Sequence, residues 1–309
     1  MAALSLKGIY PPLPTFFDAQ ETLDLHTYQH HISLLTKAGI SGFVVMGTNG
    51  EAVHLTDSER AQVITAAREM AGHQAQIIAG CGDQSTRATL AHCEQAAQSG
   101  ADIALILPPF YYKDRMTPSA LITHYQVVAD HSPLPVVIYN MPASAAGIDL
   151  DAHTICTLAE HPNIIGVKDS AGNMAKLAQI VATVAEQGKT HFSVFAGSAG
   201  YLLPALVVGA VGAVAALANI FPCEVCRVQE LFYAGKLAEA RQLQALLAPA
   251  NTAVTTTYSV PGLKAALELT VGYGGRPRSP LQPLTGQERA QLATILQRVQ
   301  PVTDMTLWS

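Results

Sequence analysis

The chain is short of charge. Of its 309 residues 13% are Asp, Glu, Lys or Arg, and the net charge of -5 is spread with the signs mixed. No basic face is available for a phosphate backbone, so nucleic acid is not an expected partner. Hydrophobic residues make up 49%, too much for a disordered chain and enough for one large core. Long apolar runs are missing as well. The longest, over 202–217, is broken by Pro204, Gly209 and Gly212, and it falls short of the roughly 18 to 20 residues that a membrane span needs.

Cysteine is sparse too. Five in a chain of this length do not make a disulfide framework. Cys223 and Cys226 form one CxxC, and no second pair or ligand-spaced histidine follows to complete a zinc site. On a helix they sit at i and i+3 and serve packing. The histidines, His30-His31 included, lack HExxH-type spacing, so no metal is expected. Residues 1–8 carry neither an apolar signal core nor an Arg-rich presequence, and Leu307-Trp308-Ser309 is no sorting signal. The expectation is a cytoplasmic protein without a membrane anchor.

What is present is alternation. Apolar runs at 8–14, 42–46, 76–79, 103–107, 136–139, 164–168, 193–196 and 210–215 read as strands, with helical stretches between them. Several helices announce their ends. Thr56-Asp57-Ser58-Glu59 is a capping box, and Thr117-Pro118 sets a cap before proline at the first helical position. Gly39, Gly72 and Gly100 stand where helices would stop. Eight β/α units within 1–235 predict a (β/α)8 TIM barrel. A doubly wound sheet would want a GxGxxG after its first strand, and none is there. Residues 236–309 read as a C-terminal helical extension packed on the barrel.

A barrel gathers the carboxyl ends of its strands on one rim, where the chemistry of such folds resides. Those ends carry Gly47-Thr48-Asn49-Gly50-Glu51, Pro108-Pro109-Phe110-Tyr111-Tyr112, Tyr139-Asn140-Met141-Pro142, Lys168-Asp169-Ser170 and Gly197-Ser198. Lys168, ending a buried strand, can form a Schiff base with a carbonyl substrate. Lysines are overwhelmingly protonated at neutral pH, and burial is what disfavours the charged form and frees the amine. A tyrosine beside it can carry the protons of carbinolamine formation, dehydration and carbon–carbon cleavage. A turn rich in Gly, Thr and Asn offers donors to the carboxylate of a 2-oxo acid. Each piece alone has a plainer reading: the turn as a turn, Tyr139 as core, Tyr111-Tyr112 as a packing pair, Ser170 and Ser198 as helix caps. Glu51 reads as structural, accepting donors at the turn.

Together these segments resemble the signatures of the dihydrodipicolinate synthase / N-acetylneuraminate lyase family, in family order and over about 8–284. The resemblance implies a TIM barrel that forms pyruvate Schiff bases without metal or organic cofactor, as a homotetramer. Within the family the chain is similar to the 4-hydroxy-2-oxoglutarate aldolase branch through Lys168-Asp169-Ser170-Ala171-Gly172, Ala196-Gly197-Ser198-Ala199-Gly200 and Val260-Pro261-Gly262-Leu263-Lys264. It implies that Lys168 is the Schiff-base lysine and Tyr139 the proton carrier. Thr48 would link Tyr139 to Tyr111, with Tyr111 supplied across a subunit interface. Thr48 and Asn49 would hold the substrate carboxylate, while Ser144, Ser170, Gly197 and Ser198 would face its variable end.

One departure is informative. The synthases carry an arginine just after Tyr-Asn-x-Pro, whereas here the stretch is Ala143-Ser144-Ala145-Ala146-Gly147. Without that bidentate partner for a second carboxylate, the synthase activity is not expected. The following Gly147-Ile148-Asp149-Leu150-Asp151 is similar to fungal 2-keto-3-deoxy sugar-acid aldolases. The expected activity is therefore a class I pyruvate-forming aldolase, cleaving 4-hydroxy-2-oxoglutarate to pyruvate and glyoxylate or a sugar acid to pyruvate and glyceraldehyde. A keto-acid-binding barrel without catalysis is the rival from another class.

Overall fold

A computed structural model describes residues 6–299 of the protein. Of the ends on which the targeting expectations rest, 1–5 and 307–309 lie outside this range. Eight strands are present: β1 (Gly8–Tyr10), β2 (Gly42–Val45), β3 (Gln76–Gly80), β4 (Ile103–Ile106), β5 (Val136–Asn140), β6 (Ile164–Asp169), β7 (Ser193–Ala196) and β8 (Gly212–Val214). All pair in parallel, in the order β1-β8-β7-β6-β5-β4-β3-β2. The ring closes between β1 and β2 through a short ladder. Ser41 N–H donates to Ile9 O at 2.9 Å, Val44 N–H to Pro11 O at 3.1 Å and Leu13 N–H to Val44 O at 2.9 Å. The expected TIM barrel is the fold.

The first predicted strand is longer than the regular one. Prolines at 11, 12 and 14 have no N–H to give a ladder, so β1 ends at Tyr10 and continues only as a bridge from Pro12 to Val44.

Between the strands run α1 (Leu25–Leu35), α2 (Asp57–Ala71), α3 (Thr86–Gln98), α4 (Pro118–His131), α5 (Ala152–Leu158), α6 (Met174–Glu186) and α7 (Leu202–Val207). After β8 come α8 (Pro222–Tyr233), α9 (Leu237–Thr252), α10 (Ser259–Val271) and α11 (Gly286–Leu296). The capping box at Thr56 and Glu59 is formed on both sides, and Thr117 caps α4 ahead of Pro118. Gly39, Gly72 and Gly100 take positive φ where the helical segments stop. Cys223 and Cys226 lie on the first turns of α8, with Cys226 in the core. Among the described residues no helix is long and apolar enough to cross a membrane.

Two apolar layers follow from strand alternation. Tyr10, Val44, Ile78, Leu105, Val137, Tyr139, Ile165, Phe195 and Val214, drawn from all eight strands, fill the barrel's interior. A larger cluster, with Phe43, Ala104, Ile138, Val167 and Val194 from the opposite strand faces, packs under the helices. The alternation slips once. Val136 pairs with Ile164, but Val137 pairs with Gly166, so Ile165 is an extra residue in β6. Both Ile165 and Gly166 then face inward, Val167 faces the helices, and Lys168 returns to the interior.

Candidate active site

At the carboxyl ends of the strands lies a cavity of about 550 Å³. Thr48, Asn49, Tyr139, Lys168, Ser170, Gly197 and Ser198 line it from the strand ends the sequence assigned, and Ser144 lines it from the turn after β5. Lys168 and Tyr139 are buried, 4% and 6% exposed. They are register partners on β6 and β5, with Phe195 of β7 on the other side of the lysine. The Lys168 Nζ stands 3.8 Å from the centre of the Tyr139 ring, and the Tyr139 hydroxyl is 3.2 Å from Thr48 Oγ1. An amine, a phenol and an alcohol thus form one connected set.

Thr48 and Asn49 open a 3-10 turn (Thr48–Gly50). N–H groups at the start of a helical turn have no partner within it, so the turn itself does not use those of Thr48 and Asn49. Glu51, in left-handed conformation at φ 52°, fixes the turn from behind. Its carboxylate is buried, with Oε1 2.6 Å from Lys264 Nζ on α10, and Oε2 accepts from Arg278 N–H at 2.9 Å. Burial lowers the Lys264 ammonium from its ordinary range, and the charge of Glu51 opposes that shift. Glu51 is thus placed as the structural residue the sequence suggested, out of the cavity lining.

Beside Lys168, Asp169 turns outward into a second buried network. Its Oδ2 meets Lys176 Nζ and Asn140 Nδ2, each at 2.8 Å, and Oδ1 accepts from Ala171 N–H at 3.0 Å. Asp149, from the segment after β5, shares both donors: Asn140 Nδ2 at 2.7 Å and Lys176 Nζ at 2.5 Å. This ties the strand ends of β5 and β6 together directly behind Tyr139 and Lys168. Gly197 is held equally close: a Cβ there would lie 1.9 Å from Ser170 Oγ.

Tyr111 is the exception. Its side chain is 76% exposed, stacked edge-on against Tyr112, and it does not line the cavity of its own chain. A neighbouring apolar cavity of about 300 Å³ borders Thr48 and Tyr139 on their other side, with Ala52, Val53, Leu107 and Phe110 among its walls.

Sequence reading missed other residues that line the cavity. Tyr201 lines the cavity and donates its hydroxyl to Asp169 O at 2.9 Å, and burial raises its phenol from the ordinary range. Asn251, Thr252, Thr255, Thr256 and Ser259 also line it. They sit where α9 passes through a π-helical turn (Ala253–Thr257) into α10. The signal was present as Asn251-Thr252-Ala253-Val254-Thr255-Thr256-Thr257, a hydroxyl-rich run in an otherwise apolar helical stretch.

Comparison with known proteins agrees with this geometry. The sequence profile of the dihydrodipicolinate synthetase family matches residues 5–299. An Emericella nidulans protein named "Probable 4-hydroxy-2-oxoglutarate aldolase, mitochondrial" is 41% identical over 291 residues, 93% of either chain. An L-threo-3-deoxy-hexylosonate aldolase from Hypocrea jecorina is 39% identical over 307 residues, 96% of either chain. Among solved structures, Escherichia coli K12 YagE in complex with pyruvate superposes with a TM-score of 0.88 at 31% identity, covering 95% of this chain and 98% of that one.

Proposed function

Because the chain belongs to the dihydrodipicolinate synthetase family, we propose that it is a class I aldolase releasing pyruvate from a 4-hydroxy-2-oxo acid. The observation that carries this reading is the burial of Lys168 beside Tyr139, with Nζ 3.8 Å from the ring centre. The relatives named above as aldolases, and the neighbour solved with pyruvate, support it.

In this reading the substrate carboxylate rests on the Thr48-Asn49 turn, which brings C2 to Lys168. The amine adds to C2 and water leaves, giving an iminium. Tyr139 takes the proton from the C4 hydroxyl as the C3–C4 bond breaks, and the bonding pair flows into the iminium to form an enamine. The aldehyde departs, C3 regains a proton, and water hydrolyses the imine to release pyruvate and the free lysine. The iminium itself is the electron sink. For 4-hydroxy-2-oxoglutarate the aldehyde is glyoxylate, and for a six-carbon 3-deoxy sugar acid it is glyceraldehyde.

Thr48 would pass protons onward to Tyr111 of a neighbouring subunit, entering through the apolar cavity beside Thr48 and Tyr139. This accords with the exposure of Tyr111 in the single chain. A homotetramer is the proposed assembly, and sizing by light scattering tests it. The proposed compartment is the cytoplasm. Since the Emericella nidulans relative has "mitochondrial" in its name, fractionation of the source cells decides that point.

The deciding experiment is borohydride reduction in the presence of pyruvate, followed by peptide mass analysis. A pyruvyl mass increment on Lys168 is the expected outcome. Its absence would remove the Schiff-base chemistry and leave a barrel that only binds keto acids.

A further inference from the structure

One part of the cavity lining is rich in hydroxyls. Ser170 and Ser198 come from the ends of β6 and β7, and Thr252, Thr255 and Thr256 from the end of α9 and the π-helical turn. Among the described residues lining the cavity, Lys168 is the one side chain that bears a charge.

Several donors on this wall are already engaged. Thr252 Oγ1 donates to Ala248 O at 3.0 Å, and Thr255 Oγ1 donates to Asn251 O at 2.7 Å. Ser198 Oγ accepts from Asn251 Nδ2 at 2.9 Å and from Gly200 N–H at 3.1 Å. Threonine hydroxyls whose protons are committed to backbone carbonyls present lone pairs to anything else nearby. A carboxylate has only lone pairs of its own, so it meets acceptors with acceptors and has no cation to offset its desolvation. A sugar hydroxyl brings a proton to such a wall and also accepts from the donors that remain.

We infer that the part of the substrate leaving as the aldehyde is a neutral, polyhydroxylated chain, as in a six-carbon 3-deoxy-2-oxo sugar acid, and that a second carboxylate is discriminated against. The inference rests on the aldolase reading and deepens it. Thr252 and Thr255 are then specificity-determining residues supplied by the helices that follow the barrel.

The test compares kcat/KM for 2-keto-3-deoxy-L-galactonate and 4-hydroxy-2-oxoglutarate, alongside borohydride trapping with pyruvate on the same preparation. The expected result is a preference of at least about tenfold for the sugar acid, the effect of roughly 1.4 kcal/mol at the distal wall. Equal or better cleavage of the dicarboxylate overturns the inference. A pyruvyl adduct with neither substrate cleaved overturns it as well, leaving the Schiff-base chemistry standing. No adduct removes the aldolase reading and the inference with it. Thr255→Val and, separately, Thr252→Val should each lower the preference several-fold, chiefly through the KM of the sugar acid. An unchanged ratio in both folded variants would show that this wall does not read the tail.

Discussion

Lys168 and Tyr139 are paired residues on adjacent strands, and their register sets the amine 3.8 Å from the centre of the phenol ring. The two are proposed to have separable roles, so their variants should fail differently. Lys168→Ala should give neither adduct nor cleavage. Tyr139→Phe should still give the pyruvyl adduct, while kcat falls by about 10²- to 10⁴-fold, the usual range for a lost acid–base group. Near-normal turnover in Tyr139→Phe would hand the proton transfer to another residue.

Tyr111 offers a test by mixing. Tyr111→Phe and Lys168→Ala proteins should each be impaired alone. If Tyr111 serves a neighbour's site, unfolding and refolding them together creates hybrid sites with both residues intact, and activity returns. Failure of stable, mixed oligomers to recover any activity would confine Tyr111 to packing.

The buried pair of Glu51 and Lys264, 2.6 Å apart, predicts an asymmetric stability response. Lys264→Met leaves Glu51 buried without its cation and should cost about 3 to 5 kcal/mol in urea unfolding. Changing both, as Glu51→Gln with Lys264→Met, should cost less than that single substitution. An additive or greater loss would mean that the pair contributes through packing alone.

Stability should also fall with mild acid. Burial holds His31 and His124 neutral, with each lowered to about 4 from an ordinary 6.5. Between those values the unfolded chain binds protons that the folded one refuses, so lowering pH from 6.5 to 4 favours unfolding. Below about 4 both states are protonated and this contribution is spent. Glu59 acts lower still. Its hydrogen bonds from Arg278 hold it at about 2, so its stabilisation disappears between the ordinary carboxylate range and about pH 2. Urea midpoints measured across pH 7 to 4 should drop, and His124→Gln should flatten the slope. A flat profile in the parent protein would contradict the assignment.

Much of this architecture is legible in the amino-acid order. Strand spacing gave the barrel because every β/α unit must bury two faces, and Thr56, Thr117 and the glycines at 39, 72 and 100 punctuate its helices through local chemistry. Thr48, Tyr139 and Lys168 could be found because a barrel brings strand ends together whatever the sequence distance. Asn251 and Thr255 could not be placed that way. They come from a helix whose approach to the rim is set by tertiary packing, including Gln244 Nε2 donating to Ala199 O at 2.8 Å. Tyr111 is reached only through the family resemblance, since within one chain it stays exposed and off the cavity lining.

The extra residue Ile165 has an implication for how the reactive amine is held. A strand's sidedness has a period of two, so one inserted residue is a half-cycle change of phase. It sends Lys168 inward while its neighbours on either side point the other way: Val167 into the layer under the helices and Asp169 into its pairing with Lys176. The lysine is therefore braced like a rung between two posts fixed outside the wall. Its freedom lies almost wholly in its own four methylenes, which end at the cavity at the strand ends.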